Sequence, residues 1–318
     1  MREGVDDGVA SQGPLAGGPA VHRAAVDSAE AVALDDALAA LRLAARAYTR
    51  HSRWHVGDLA WQLGVTGGQS LGDRAAVWRT GAEAAGVAWW YESSEVVDPH
   101  VSLSVLLETG SDLLADAIAW ARATTQRRVD VTVAESEHDL VEDLHALGYR
   151  PAEDAAYFVN LQRPLVDLPA VSTPLGYTIR AVTPADVEAR AALHREVWGS
   201  DSLTTAAYAS MTRRWPYDAR FDQVAQTPDG RLVAYVHGWL APDGTIGELE
   251  PVGTLGPHRR QGLSRAVALS VLHPFRDAGA SSALVYARGD DGYPVPRQVY
   301  ASLGFRPHTR IRRYTLGS

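Results

Sequence analysis

Cysteine is absent from this sequence. That excludes a disulfide framework, a thiolate metal site and a cysteine nucleophile together, and it fits a protein of the reducing cytoplasm. An excess of positive charge is missing as well. Thirty Lys and Arg stand against 38 Asp and Glu, for a formal net charge of -8, which leaves no basic field to hold nucleic acid. No run approaches the roughly 18–20 uninterrupted apolar residues that a membrane span needs, so a soluble protein without membrane contact is expected. The first 24 residues lack a basic start followed by a continuous apolar run; they read as a flexible tail and not as a signal peptide. His51, His55, His194 and His237 do not fall at metal-ligand spacing, and no metal is expected.

The composition, 46% apolar and 21% charged, is that of an ordinary globular protein. With 318 residues the chain exceeds one core of common size, so two domains are expected. Leu34, Leu38, Leu41 and Ala45 recur at helical spacing within 31–50, an amphipathic helix. Strands are expected near 84–90, 100–108 and 129–133, with helices over 111–123 and up to Gly148, a natural C-cap. The proline-rich stretch around 162–178 reads as an extended linker. Beyond it the pattern restarts: a strand at 177–183, a helix from Pro184 to about Gly199, another over 204–214, and strands at 222–227, 231–240 and 245–254. A helix over 262–277, a strand at 282–287, a helix near 295–303 and a strand near 309–316 follow. Leu147-Gly148-Tyr149-Arg150-Pro151 and Leu303-Gly304-Phe305-Arg306-Pro307 occupy matching places, which makes the halves distant copies. The expected units are a tail over 1–24, a first domain over 25–163, a linker over 164–176 and a second domain over 177–318.

Chemistry concentrates in the second copy. Strand residues Glu248 to Thr254 run into Leu255-Gly256-Pro257-His258-Arg259-Arg260-Gln261-Gly262, and a helix starts at Leu263-Ser264. Backbone N–H groups at a helix start have no internal partner and sit at the positive end of the helix dipole, a ready place for a pyrophosphate. Gly262 lets a ligand approach the backbone closely, and Arg259 and Arg260 can pair with phosphate oxygens.

This segment resembles the acetyl-CoA motif of the GNAT acetyltransferases, R/Q-x-x-G-x-G/A, matched by Arg259, Gly262 and Ser264, with serine replacing the usual Gly or Ala. Gln298 to Phe305 is similar to the family's Y-x-x-L-G-F close. The resemblance implies an α/β fold of two tandem GNAT units, each a mostly antiparallel sheet flanked by helices. It implies acetyl-CoA as co-substrate, its pyrophosphate held by backbone N–H groups over Gln261, Gly262, Leu263, Ser264 and Arg265, and its pantetheine arm paired with the strand at Val252, Gly253 and Thr254. It also implies a carboxylate base, either Glu248, fourteen residues before Gly262 and preferred on that count, or Glu250 on the same face. Tyr300 takes the general-acid position. The family's cofactor-contacting Asn, seven residues before that Tyr, is replaced by Tyr293 in a nonstandard loop, Gly289 to Pro296.

The first copy departs from the motif. Glu108-Thr109-Gly110-Ser111-Asp112 has no arginine at the right spacing, and Leu144 stands where the second copy has Tyr300. That half is expected to be structural or to wall the acceptor site, with Trp54 and His55 candidates for the cleft between halves. Trp198, Trp215 and Tyr217 are candidates to line the acceptor pocket. The expected activity is direct acetyl transfer to a small cationic or amphipathic amine by a monomer or homodimer. Its rivals are a non-catalytic acyl-CoA-binding module and an aminoacyl transferase; the acidic balance speaks against the latter.

Overall fold

Runs rich in Val, Ala and aromatic residues become strands here because helices cover one face of each. A computed structural model describes residues 28–31, 42–43, 53–65, 74–81, 83–92, 99–108, 112–153 and 156–317. The tail expected over 1–24, His51, and almost all of the helix expected over 31–50 lie outside the described residues. Of that helix, Arg42 and Leu43 are described and helical, whereas Ala31 ends a strand.

The first half runs β1 (Ser28–Ala31), α1 (Val56–Val65), β2 (Ala75–Thr80), β3 (Glu83–Glu92), β4 (Val101–Leu107), α2 (Leu113–Thr125), β5 (Val129–Ala134), α3 (His138–Ala146), β6 (Tyr149–Pro151) and β7 (Phe158–Pro164). The second runs β8 (Thr178–Ala181), α4 (Val187–Trp198), α5 (Thr205–Met211), β9 (Asp222–Gln226), β10 (Leu232–Leu240), β11 (Ile246–Thr254), α6 (Leu263–Asp277), β12 (Ser282–Arg288), α7 (Val295–Ser302) and β13 (Arg306–Leu316). The order of elements repeats. Gly148 and Gly304 both end their helices in the left-handed region, at φ of +85° and +87°.

Each half holds one parallel strand pair, and both pairs are short. Val101 to Leu103 pair with Val129 to Val131, and Ile246 to Glu248 pair with Ser282 to Leu284. Past those residues the strands part, which opens a V in each sheet. The two sheets are nevertheless one. The strand order is β1-β2-β3-β4-β5-β13-β7-β12-β11-β10-β9-β8, with β6 also on β13. The closing strands have changed places: β7 of the first half pairs with β12, and β13 of the second half pairs with β5. Gln162, Arg163 and Pro164, read from the sequence as the start of the linker, therefore end strand β7, because their backbone is paired with Leu284, Ala283 and Ser282 respectively.

Packing joins the halves a second time. Trp54, Leu59 and Trp61 on one side and Tyr208, Met211 and Trp239 on the other form one buried cluster, each large apolar side chain worth about 1.5–3 kcal/mol of burial. Close contact of α1 and α5 requires Gly64, since a Cβ there would lie 2.6 Å from Met211 Sδ. A separate core under α6 gathers Val267, Leu272 and Phe275 against β9, β10 and β11.

Candidate active site

The V between β11 and β12 carries the candidate site. Beyond Glu248, β11 is paired only on its β10 side, so the backbone groups of its last residues face the opening without a strand partner, a free template for an extended arm. A cavity of about 770 Å³ occupies this opening. Val252, Gly253 and Thr254 line one wall, Arg259, Arg260, Gly262, Leu263, Ser264 and Arg265 the end, and Tyr293, Val299 and Tyr300 the other wall.

The end wall is built for an anion. Gly262 is the N-cap of α6 at φ +83°, and no side chain caps the first turn, so the orphan N–H groups of that turn stay available. A Cβ at Gly262 would find only Pro174 at 3.9 Å, so the space above the turn is open. Arg259 is tied back by its Nε, which donates to the Thr254 carbonyl at 3.0 Å. Thr254 and Ser264 hydroxyls hydrogen-bond at 2.9 Å, fastening strand to helix. Arg260 adopts a left-handed φ of +62°, a conformation that costs a non-glycine residue energy and that recurs at functional turns. Gln261 turns its side chain away from the cavity, to the Tyr177 hydroxyl at 2.8 Å, leaving its backbone as the part that can serve a ligand. These features fit acetyl-CoA: an uncapped helix start for pyrophosphate, an unpaired strand edge for the pantetheine arm.

Three groups at the apex can move protons. Tyr300 lines the cavity while 7% exposed. Burial, then the nearby Glu250 charge, pushes its hydroxyl above the ordinary range. Glu250 is half-buried, and burial followed by the Asp58 charge raises its carboxyl to about 8. Glu248 is 0% exposed; burial is again the first cause that raises it to about 8. Neither glutamate is among the residues that line the cavity. Glu248 lies against the first half, with Oε2 3.0 Å from His55 Nδ1.

Of the residues proposed to line an acceptor pocket, Trp198 is at the cleft and donates from Nε1 to the Tyr235 hydroxyl at 2.7 Å. Trp215 is 46% exposed and outside the cleft. Tyr217 packs at the edge of the inter-half core, 3.4 Å from Asp222 Oδ2. Both follow from the short α5 ending at Met211, after which the chain turns across the core. Sequence reasoning missed Asp58, and left His55 unassigned beyond a place in the cleft. Both are polar residues at a helix start, where a capping role is the ordinary reading.

No protein-family model matches the chain. Two curated relatives, both named mycothiol acetyltransferase, do. The protein from Thermomonospora curvata is 31% identical over 156 residues, 46% of this chain and 50% of that protein. The protein from Catenulispora acidiphila is 26% identical over 258 residues, 74% of this chain and 78% of that protein. The chain thus matches half the length of the first relative. Among solved structures, a GCN5-related N-acetyltransferase from Sphaerobacter thermophilus superposes with a TM-score of 0.58 at 21% identity, over 90% of this chain and 94% of that one. A tandem GNAT protein from the clavulanic acid biosynthesis pathway does so with a TM-score of 0.56 at 17% identity, over 92% and 99%. The fold is that of tandem GNAT proteins. Its two copies have the GNAT fold, and the V of the second is where the motif residues Arg259, Gly262 and Ser264 converge. Among the described residues no group of His, Asp and Glu could hold a metal ion, and no helix is long and apolar enough to cross a membrane.

Proposed function

We propose that the second GNAT unit transfers an acetyl group from acetyl-CoA directly to the amine of a small molecule. The observation that carries this reading is the single cavity wall sequence of free strand edge, uncapped helix start and buried tyrosine. The relatives' name, mycothiol acetyltransferase, makes a small-molecule acceptor the first class to test.

When bound, acetyl-CoA supplies an activated thioester. Val252, Gly253 and Thr254 align its arm through backbone groups, and the first turn of α6 holds its pyrophosphate. An ammonium has no lone pair, so a base must take its proton before attack. Glu250 serves as that base. It is half-buried and its charge bears on Tyr300, whereas Glu248, the choice from residue counting, is fully buried against the first half. A carboxyl raised to about 8 is matched to a general base working near neutral pH. Tyr300 donates its hydroxyl proton to the departing sulfur, whose thiolate has an ordinary pKa of about 8.5.

The test is release of free thiol from acetyl-CoA across a panel of small amines, amino sugars and amino acid derivatives included. Acetylated product is expected with at least one acceptor class. Tight acetyl-CoA binding with no turnover on any amine would favour the acyl-CoA-binding module instead. Oligomeric state, monomer or homodimer, is read from sedimentation of the same preparation.

A further inference from the structure

The linker between the halves ends at the phosphate end of the cleft. It runs beside α6, where His273 Nε2 donates to the Pro169 carbonyl at 2.9 Å, and Pro174 is the atom nearest to a Cβ built on Gly262, at 3.9 Å. Tyr177, partly buried against the core under α6, closes the run. Its N–H donates to the Pro174 carbonyl at 3.2 Å, and its ring meets that of His258 edge-on, with centroids 5.8 Å apart. The Tyr177 hydroxyl lies 2.8 Å from His258 Nδ1 and donates to Gln261 Oε1 at 2.8 Å. A phenol has one proton to give. Because Gln261 takes it, His258 Nδ1 must be the donor to the Tyr177 oxygen. The Gln261 amide is held in that sense by its Nε2, 3.4 Å from the Pro257 carbonyl; turned over, it would set oxygen against oxygen. His258 thus carries a proton on Nδ1, and Nε2 is left for a ligand. His258 lines the cavity together with Arg259, Arg260 and Arg265, and no carboxylate is among the lining residues.

We propose that His258 binds a phosphate oxygen of acetyl-CoA through Nε2, and that Tyr177 of the linker is its positioning residue. The assignment rests on acetyl-CoA occupying the cleft, as read above, and not on transfer to an amine. To donate, Nε2 must gain a proton, which gives an imidazolium with one N–H toward Tyr177 and one toward the phosphate. An opposite charge within hydrogen-bond reach favours that form, so acetyl-CoA and a proton bind together. The groups around the ring are Tyr177 from the linker, Arg259, Arg260 and Gln261 from the turn, and Arg265 from α6. Arg259 is tied to the Thr254 carbonyl and Arg265 to the Ser302 carbonyl. Arginine keeps its charge whatever binds; a histidine can gain one with its ligand. Acetyl-CoA offers phosphate oxygens in its pyrophosphate and in the 3′-phosphate of its ribose, and either has the chemistry that His258 would meet.

Calorimetric titration of the full chain with acetyl-CoA at about pH 7, in buffers of different ionisation enthalpy, gives both Kd and the proton taken up. His258→Ala should weaken Kd by about tenfold and take up less proton than the parent. Tyr177→Phe keeps the ring contact and drops the hydroxyl; it should weaken Kd by about threefold. Titration with 3′-dephospho-acetyl-CoA names the phosphate: the effect of His258→Ala disappears with this ligand if the 3′-phosphate is the partner, and persists if the pyrophosphate is. Long-range ¹H–¹⁵N spectra of histidine-labelled protein, with His258 assigned through His258→Ala, read the ring itself. A proton on Nδ1 in the free parent, protonation of Nε2 on adding acetyl-CoA, and a mixture of tautomers in Tyr177→Phe support the proposal. A proton on Nε2 alone in the free parent overturns it, as does a Kd and proton uptake unchanged in His258→Ala, or a parent that does not bind acetyl-CoA. Should the alanine variant fail to fold, His258→Gln, uncharged but still a donor, replaces it; an unchanged proton uptake there overturns the proposal equally. Binding with this proton linkage but no turnover on any amine would leave His258 assigned and remove only the acetyl-transfer reading.

Discussion

The two GNAT units can be laid on each other through their parallel pairs, and the overlay puts apolar residues where the second unit has its acids. Val101 corresponds to Ile246 by register, so Leu103 stands at the place of Glu248 and Val105 at the place of Glu250. Trp90 faces Leu103 on the neighbouring strand as Trp239 faces Glu248. Leu144, 0% exposed, fills the position of Tyr300. At the start of α2, Leu113 and Leu114 are buried, and a Cβ on Gly86 would meet Leu113 Cδ1 at 2.8 Å. The N-cap is Asp112, and Asp116 follows in the first turn, both repelling an anion where the second unit presents Arg259, Arg260 and Arg265. One backbone plan therefore serves two ends. Packed with leucine and valine, the V is core; lined with glycine, arginine and tyrosine, it is a cleft.

That contrast can be broken on purpose. The largest effect is expected from erasing the second unit's chemistry while keeping its shape. Glu250→Gln and Tyr300→Phe should each reduce kcat by about 10²–10⁴-fold, with acetyl-CoA binding by calorimetry little changed; full turnover in both would remove these residues from the reaction. Next in size is the seam. Ile311, 4% exposed on β13, pairs with Ala134 of β5 and Phe158 of β7. Ile311→Ala should cost about 2–5 kcal/mol, and scanning calorimetry should show one transition lowered as a whole. Two separated transitions would mean that the units melt apart despite the shared sheet.

A smaller effect is expected at the anion end. Gly262→Ala puts a side chain at φ +83°, at a cost of about 1–2 kcal/mol. Its measurable result is a roughly tenfold weaker acetyl-CoA Kd if that strain is relieved by moving the turn. The equivalent change at Asp112 should alter no acetyl-CoA Kd, because Asp112 and Asp116 put negative charge at that helix start. The smallest is a trend with pH. Glu248 and Glu250 are raised to about 8 from an ordinary 4.5, so the folded state holds protons that the unfolded state releases. That stability is complete below pH 4.5 and is lost as pH climbs through 8. His55, lowered to about 4 by burial, acts oppositely, its contribution lost as pH falls from 6.5 toward 4. Tm should decline from pH 6 to pH 9, and Glu248→Gln should flatten the decline; a Tm that rises over this range would contradict the buried acids.

Much of this was legible in the chain. The strand, turn and helix over 246–277 were legible as elements, and the helix does start at Leu263 behind an uncapped Gly262. The repeat of Leu-Gly-aromatic-Arg-Pro declared the duplication, and both glycines indeed end helices in the left-handed region. What periodicity could not convey is partnership. Nothing in Phe158–Pro164 says that it pairs with β12 and not with β5, because alternation fixes which face of a strand is buried and not which neighbour lies alongside. The same limit hid Asp58. Its burial against Glu248 depends on two residues 190 positions apart meeting across the units, and neither segment is unusual alone. The proposal of Glu250 over Glu248 as the base rests on burial, which counting residues back from Gly262 does not measure.

The exchanged strands carry a consequence for how the protein is made. Glu135, at the end of β5, takes its ion pair from Arg312, 177 positions later in the chain. A ribosome adding about 5–20 residues per second leaves the first unit's sheet without its neighbour on that side for roughly 9–35 seconds. During synthesis β5 is an open edge of Val129, Val131 and Val133, the kind of surface that pairs with strangers. The first unit is thus born unfinished and is completed by β13, a strand of the second unit.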